Sequence, residues 1–278
     1  MSALDPAVLA FLLFVLLGAG AIGGVLAGLF GVGGGGIFVP VLYHAFVAAD
    51  VSEEVAMHLA IGTSLAIILP TAIRSVAAHR VQNAVDMRLL TEWAVVVPAG
   101  VVAGTFIAAM SGADALKGIF AAIAASIALR LFVGRLPFRL GDDLPGLFGR
   151  SVAGFVIGVL SALMGVGGGV LNTTFMTAYG RTIHQGVATS AGVGALIAVP
   201  GLVSYAVAGW GEPDLPPFSL GYVSLVATLI AAPVAMLVAP FGARLAHRTS
   251  KRNLEIGFAC FLCAVAAQFA ADLLGLVR

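Results

Sequence analysis

The stretch Gly31-Val32-Gly33-Gly34-Gly35-Gly36 decides the fold, and it returns 134 positions later as Gly165-Val166-Gly167-Gly168-Gly169. Each copy follows an apolar run, residues 7–30 in one case and 150–164 in the other. Glycine is a poor helix former, so each cluster is predicted to break a helix within hydrophobic surroundings. Backbone groups freed inside a bilayer are tolerated only where they face protein or a wet cavity. Interrupted helices in corresponding positions of two halves therefore point to a transport site.

The composition is that of a membrane protein. Of the 278 residues 60% are hydrophobic and 10% charged, and the mean hydropathy is +1.09. Soluble domains are closer to one quarter charged. Several apolar runs reach the length of about 20 residues that crosses a bilayer. We predict an all-α polytopic membrane protein. The apolar runs are continuous, which excludes a β-barrel. The net charge of +1 gives no reason to expect nucleic acid as a partner.

Short motifs recur in the same order in both halves. Ile61-Gly62-Thr63-Ser64 corresponds to Val187-Ala188-Thr189-Ser190. Three further residues recur at a spacing of 138 positions: Gly104, Leu116 and Phe120 correspond to Gly242, Leu254 and Phe258. Such self-similarity indicates a duplication. We predict a first membrane repeat over residues 1–134, a cytoplasmic linker over 135–149 and a second membrane repeat over 150–278.

The placement of basic residues predicts the topology. We assume that each glycine-broken pair is a re-entrant hairpin that returns to its own side. The remaining runs then cross the membrane at 55–79, 89–110, 118–134, 186–208, 219–246 and 254–277. With the N-terminus outside, 12 of the 14 lysines and arginines fall on the inner side, and only Lys117 and Arg278 lie outside.

The predicted fold is thus two inverted-topology repeats, each with a glycine-broken hairpin plus three transmembrane helices. Both termini are expected on the periplasmic side of the inner membrane. One alternative stays open, because residues 7–30 could extend about 36 Å as a helix and span the membrane completely.

The glycine breaks are also the candidate binding site. A helix that starts at a break exposes N–H groups whose dipoles attract an anion without any charged side chain. Hydroxyl and amide groups nearby would add donors. The candidate solute-binding residues are Gly33, Gly34, Gly35, Gly36, Thr63, Ser64, Gly167, Gly168, Gly169, Asn172, Thr173, Thr189 and Ser190. The alternative is structural: small residues let helices pack closely, and serine and threonine often bond to their own backbone.

Other polar residues carry less specific predictions. Arg74 and His79 lie near the inner end of their run and are candidate gating residues, although snorkelling to the interface explains them as well. No Asp or Glu lies deep in an apolar run, whereas ion-coupled carriers usually hold an intramembrane carboxylate. This favours uniport. Cys260 and Cys263 share a helix face, for which ordinary packing is the simplest explanation. We expect no metal, no cofactor and no enzyme activity.

With these motifs in view, the chain resembles the TauE/SafE family, the sulfite exporter-like permeases. The similarity rests on Gly28 to Gly35 with Pro40, Gly62-Thr63-Ser64 through Pro70, Gly165 to Gly169 and Ala188-Thr189-Ser190, and it extends to Leu220 to Val223 and Ala239 to His247. It implies a bacterial inner-membrane permease for a small sulfur-containing anion such as sulfite or an organosulfonate, with export by alternating access. One departure is Val170, where the first half has Gly36.

Two other functions compete with this interpretation. A membrane assembly or interaction protein could use the same small-residue faces without transporting anything. An anion channel could use the same breaks without alternating access. The expected partners are a small anionic solute and the lipid bilayer, and a homodimer is compatible with the sequence.

Overall fold

The computed structural model describes residues 6–30, 35–80, 85–134, 140–246 and 251–276. Across these ranges the protein is helical, apart from connections and one isolated β-bridge. The helices are α1 (Pro6–Phe30), α2 (Gly35–Ala48), α3 (Glu53–Arg80), α4 (Met87–Met110), α5 (Ala113–Val133), α6 (Leu147–Met164), α7 (Gly169–Ala178), α8 (Ile183–Ala208), α9 (Leu225–Ala246) and α10 (Lys251–Leu273).

These helices overlap the predicted runs, with differences of up to six residues at their ends. The run predicted to begin at residue 118 is already helical at Ala113. The run predicted to begin at residue 219 becomes helical only at Leu225. The preceding segment holds the bridge between Ser219 and Ser224 and two left-handed residues, Phe218 (φ 61°) and Gly221 (φ 54°). The Ser224 hydroxyl accepts a hydrogen bond from the Ala227 N–H at 3.3 Å. This side-chain cap satisfies a donor that the first turn leaves unpaired, so the helix starts there.

Seven helices are long and apolar enough to cross a membrane: α3, α4, α5, α6, α8, α9 and α10. The multi-pass prediction is therefore confirmed at this level. α6 is in this group because its 18 residues reach about 27 Å. α2 and α7 are too short to cross at 14 and 10 residues.

The segment before α6 lies close to the end of α7. The Leu140 N–H donates to the Ala178 carbonyl at 2.8 Å, and Arg181 forms an ion pair with Asp143 at 2.7 Å. The chain therefore enters α6 and leaves α7 in one neighbourhood. The segment that joins the two halves is held against the second broken pair.

Glycines let two pairs of helices approach at backbone distance. α1 packs on α9 and α6 packs on α4. A Cβ atom added to Gly24 would lie 2.5 Å from the Ala235 carbonyl oxygen, and one added to Gly158 would lie 2.4 Å from that of Val97. Contacts this short leave no room for a side chain, so the glycines within these helices serve close packing.

α3 and α8 form the centre of the protein. They pack against each other, α2 packs on α3 and α7 packs on α8. α3 is the most enclosed of the candidate spans, with 83% of its apolar window buried. The broken helices are thus held against the two central helices, and this arrangement places the breaks deep in the protein.

Lys117 lies at one end of the helix bundle and is only 3% exposed. Its ammonium group is 2.9 Å from Glu53 and 3.0 Å from Asp272, and it stands 5.1 Å from the centre of the Tyr43 ring. The cluster joins α2, α3, α5 and α10. The one outer lysine of the predicted topology is therefore neutralised by acidic partners and is not a free positive charge.

Candidate functional site

The second break is a well-defined glycine turn between α6 and α7. Gly165 (φ 63°) ends α6 and Gly168 (φ 67°) precedes α7, both in the left-handed region that only glycine adopts without strain. The Val166 N–H donates to the Ser161 carbonyl at 3.1 Å, a bond typical of glycine C-caps. All residues from 161 to 169 are buried. The N-terminus of α7 is therefore enclosed by protein.

The two breaks meet. α2 starts at Gly35, and a Cβ atom added there would lie 2.4 Å from the Gly165 carbonyl oxygen and 2.6 Å from the Val166 Cα. The predicted residues Gly33 and Gly34 lie outside the described residues. The first N–H groups of a helix have no partner within it. The start of α2 thus lies against Gly165 and Val166, the residues that follow α6 in the second break.

A small cavity lies beside this meeting point. Its volume is about 10 Å³, which is the room of a single water molecule. It is too small for a sulfur oxyanion, so the described conformation is closed around the breaks. The lining residues are Gly36, Ile127, Met164, Val166, Gly168, Gly169, Val170, Leu171, Phe258 and Leu262.

The two candidate threonines connect the halves in equivalent ways. The Thr63 hydroxyl accepts from the Ser224 N–H at 2.9 Å, and the Thr189 hydroxyl accepts from the Asp86 N–H at 2.9 Å. Asp86 also caps its helix, because its carboxylate accepts from the Leu89 N–H at 3.0 Å. Each threonine on a central helix therefore positions the start of a helix from the other half, α9 or α4.

The two candidate serines bond to the breaks themselves. The Ser64 hydroxyl donates to the Gly165 carbonyl at 2.7 Å. The Ser190 oxygen lies 2.7 Å from the Gly186 carbonyl, 3.1 Å from that of Gly169 and 3.0 Å from the Thr173 hydroxyl. The structure thus brings both serine hydroxyls to the second break. In this closed conformation they bond to protein groups.

Asn172 lies one turn into α7 and is fully buried. Its amide nitrogen donates to the Ser190 hydroxyl at 2.8 Å, and its backbone N–H donates to the Gly168 carbonyl at 2.8 Å. Its side-chain oxygen has no hydrogen-bond partner among the described residues. A buried polar atom without a partner is uncommon and calls for an explanation.

Ser161 is a second buried side chain of this kind, and the sequence reasoning missed it. It is fully buried on α6, and its hydroxyl has no hydrogen-bond partner within the described ranges. The hydroxyl lies 3.1 Å from the position that a Cβ atom of Gly168 would occupy. A usable signal was present in the sequence: Ser161 falls 134 positions after Ala27, so one half has a hydroxyl where the other has a methyl.

The structure does not bring the gating candidate Arg74 to the breaks. Arg74 is exposed and lies ten residues beyond Ser64 on α3, about 15 Å along the helix. The side chain of His79 lies outside the described residues. Gly167 remains with the site, since its carbonyl oxygen is 3.4 Å from the position of a Gly194 Cβ atom.

The structure also bears on the cysteines and on metal binding. Cys260 and Cys263 are free and exposed, so they are not packed in the core as expected. Among the described residues, no cluster of three or more His, Cys, Asp or Glu side chains could hold a metal ion.

Comparison with known proteins points to one family. The sequence pattern described as "Sulfite exporter TauE/SafE" matches residues 16–269. A "Probable membrane transporter protein" of Haemophilus influenzae is 34% identical over 257 residues, which is 92% of this chain and 97% of that protein. Proteins of Methanocaldococcus jannaschii and Bacillus subtilis with the same description are 26% and 27% identical over 88% and 72% of this chain, and over 90% and 80% of their own lengths. No solved structure gives a significant match.

Proposed function

Because the chain belongs to the sulfite exporter TauE/SafE family of membrane transporters, we propose that it carries a small sulfur-containing anion by alternating access. Sulfite and organosulfonates are the leading solutes, and export across the inner membrane is the expected direction. The solute would bind where the two broken helices meet. Its donors would be the first N–H groups of α2 and α7, assisted by the hydroxyls of the central helices.

One observation carries this proposal: the backbones of the two breaks are in contact at Gly35 and Gly165. Gly36 near the start of α2 and Gly169 at the start of α7 also line one cavity, and the N–H groups at two such helix starts create a positive potential that favours an anion. The described residues around the cavity contribute no cationic side chain to its lining. Backbone dipoles are therefore the source of attraction at this site, and they suit an anion of low charge.

Several contacts support the two repeats, 1–134 and 150–278, on either side of the linker 135–149. The packing of α1 on α9 has its equivalent in α6 on α4. The bond from Ser224 to Thr63 has its equivalent in the bond from Asp86 to Thr189. We propose that the repeats are inverted, with both termini on the outer side, because this orientation places most basic residues inside. The contact of Leu140 with Ala178 supports a second hairpin that returns to its own side.

The size of the cavity supports a transport cycle with a closed state. A volume of about 10 Å³ excludes the solute, so loading requires that helices lining the cavity move apart. α5 and α10 provide one wall through Ile127, Phe258 and Leu262. The inside-negative potential would drive a monoanion outward with about 2.3 kcal/mol per 100 mV. No coupling ion is needed for export under these conditions.

The proposal is tested by flux through the purified protein in proteoliposomes. We expect saturable efflux of sulfite or methanesulfonate that increases with an inside-negative potential. Gly36→Ala should lower this flux several-fold, because the new methyl group lies 3.2 Å from the Phe258 ring and fills the cavity. Gly257→Ala is the matched control, since a Cβ atom there meets no atom within 4 Å.

The outcomes separate the competing functions. Absence of flux for every sulfur anion, from a protein that is folded in the liposomes, would contradict transport of this class and favour an assembly role. Flux that does not saturate would favour a channel. Equal flux in wild type and Gly36→Ala would mean that the protein transports the solute but that the solute does not pass the breaks.

A further inference from the structure

Two buried oxygen atoms at the start of α7 have no hydrogen-bond partner among the described residues: Ser161 Oγ and Asn172 Oδ1. Both side chains are fully buried. Both residues lie next to Gly168, the residue that precedes α7: the Ser161 hydroxyl is 3.1 Å from the position that a Gly168 Cβ atom would occupy, and the Asn172 backbone N–H donates to the Gly168 carbonyl at 2.8 Å. Ser161 near the end of α6 and Asn172 in the first turn of α7 therefore both lie beside Gly168, at the second break. Buried polar atoms left without a partner destabilise a protein, so such a pair suggests a ligand.

The first half lacks both groups. Ala27 stands where Ser161 would be expected and Phe38 where Asn172 would be, each 134 positions earlier. Both of these first-half side chains are buried and apolar. If the oxygens served only to hold the break together, the equivalent break would be expected to need them as well. Because these oxygens occur in one half, we infer that they bind a solute and do not serve to hold the break together.

The chemistry of the two groups defines what they can bind. A serine hydroxyl can donate a hydrogen bond to an anion. The oxygen of an asparagine amide can only accept one. A fully deprotonated oxyanion presents acceptors alone, so it would leave Asn172 Oδ1 unpaired and would be repelled by it. An oxyanion that keeps one proton can satisfy both groups at once.

We propose that Ser161 and Asn172 form a solute subsite that selects a monoanion carrying a proton on one of its oxygens. This inference rests on the proposed function and specifies the form of the solute. Ser161 donates to an anionic oxygen of the solute, next to the N–H groups at the start of α7. Asn172 Oδ1 accepts the proton-bearing oxygen. For sulfur oxyanions, hydrogensulfite then binds in preference to sulfite.

The test uses two probes of nearly the same shape and charge. Methanesulfonate is a monoanion without a proton, and methylphosphonate at mildly acidic pH is a monoanion with one. Binding of each to the purified full-length protein is measured by calorimetry. We expect wild type to bind the methylphosphonate monoanion about 5- to 10-fold more tightly, the effect of one buried hydrogen bond. This preference should disappear as pH rises and methylphosphonate loses its second proton, while methanesulfonate binding stays constant.

Two variants assign the effect to the subsite. Ser161→Ala removes a hydroxyl that bonds to no described residue. The variant should therefore fold normally and bind both probes several-fold more weakly than wild type. Asn172→Leu should abolish the preference for methylphosphonate. The controls are Ser126→Ala and Thr177→Val, which remove helix hydroxyls bonded to the Ala122 carbonyl and to the carbonyls of Thr173 and Thr174. These controls should bind both probes as wild type does.

The results separate this inference from the function on which it rests. Equal binding of both probes, or unchanged binding in Ser161→Ala, overturns the subsite while leaving anion transport in place. Stabilisation by sodium that is lost in Asn172→Leu, without any preference between the probes, also overturns it in favour of a cation site. If neither probe nor sulfite binds or moves across proteoliposomes, both proposals are wrong.

Discussion

The two halves share a backbone device and differ in the side chains around it. Both halves begin a short helix at a glycine break, α2 at Gly35 and α7 at Gly169, and both starts lie deep in the protein. Around the second break are Ser161 and Asn172, whereas the first half has Ala27 and Phe38 in the corresponding positions. Both halves therefore contain an interrupted helix, while these buried polar side chains belong to the second half.

The central helices show the opposite pattern. Thr63 and Thr189 make equivalent bonds to the backbone of Ser224 and Asp86, and the residues that follow them, Ser64 and Ser190, both bond to a glycine-break carbonyl. Where a residue holds helices together, the two halves agree. Where a residue has an unpaired group available for a solute, they differ.

The largest expected effect comes from giving the first half the polar group of the second. Phe38→Asn should lower the free energy of unfolding by about 3–5 kcal/mol, because it leaves a cavity and buries an amide without partners. Phe38 is fully buried, and its ring lies 2.4 Å from the position of a Gly23 Cβ atom. Denaturant unfolding in detergent measures the change. Phe148→Asn, at a ring that is 83% exposed, is the control and should change little; an equal loss would refute the difference between the halves.

The next effect tests the contact between the breaks. Gly35→Ala should destabilise the protein by about 2–3 kcal/mol through overpacking, because its methyl group would lie 2.4 Å from the Gly165 carbonyl oxygen. Gly36→Ala, one residue along, meets only the side chains of Phe258 and Leu262 and should be near neutral. Thermal unfolding of the two variants gives the comparison. If both behave alike, the two breaks are not in backbone contact.

The losses of stability caused by Ser190→Ala and Ser64→Ala should differ by a smaller amount. Ser190→Ala should cost about 2 kcal/mol, because it removes the hydroxyl that connects Asn172, Thr173 and the Gly169 carbonyl. Ser64→Ala should cost about 1 kcal/mol, since it removes one bond to Gly165. Denaturant unfolding of both variants measures this ratio. A larger loss in Ser64→Ala would mean that the polar network is not concentrated in the second half.

The last prediction is that two variants lose the same amount of stability. Thr63→Val and Thr189→Val should each lower stability by about 1 kcal/mol, because each leaves one backbone N–H of a helix cap without its acceptor. The same unfolding assay applies to the pair. A clear difference between them would contradict the equivalence of the two central helices.

Much of the fold could be predicted from the sequence, because the hydropathy of a run and the helix-breaking effect of glycine depend on neighbouring residues in the chain. The apolar runs predicted most helix ends to within five residues, and the larger difference at residues 219–224 arises because a serine cap and left-handed residues replace the first turn. Of the candidate hydroxyls, those of Ser64 and Ser190 bond to carbonyls of the second break, whereas those of Thr63 and Thr189 bond to the starts of α9 and α4. The partners of Thr63, Ser64 and Thr189 were not predictable, because each lies more than one hundred residues away in the chain. Ser190 bonds to the Gly186 carbonyl four residues earlier, as helical serines often do, and to residues of α7.

The sequence by itself determined that this is a multi-pass helical membrane protein with two interrupted helices, since helix length in a bilayer and glycine's flexibility need no knowledge of neighbours. Only the tertiary structure decided that the two interruptions meet, that the Thr–Ser pairs bond to backbone, and that Ser161 has no described partner at the start of α7. These properties depend on contacts between distant segments. Periodicity along one chain does not specify such contacts, because packing selects them in three dimensions.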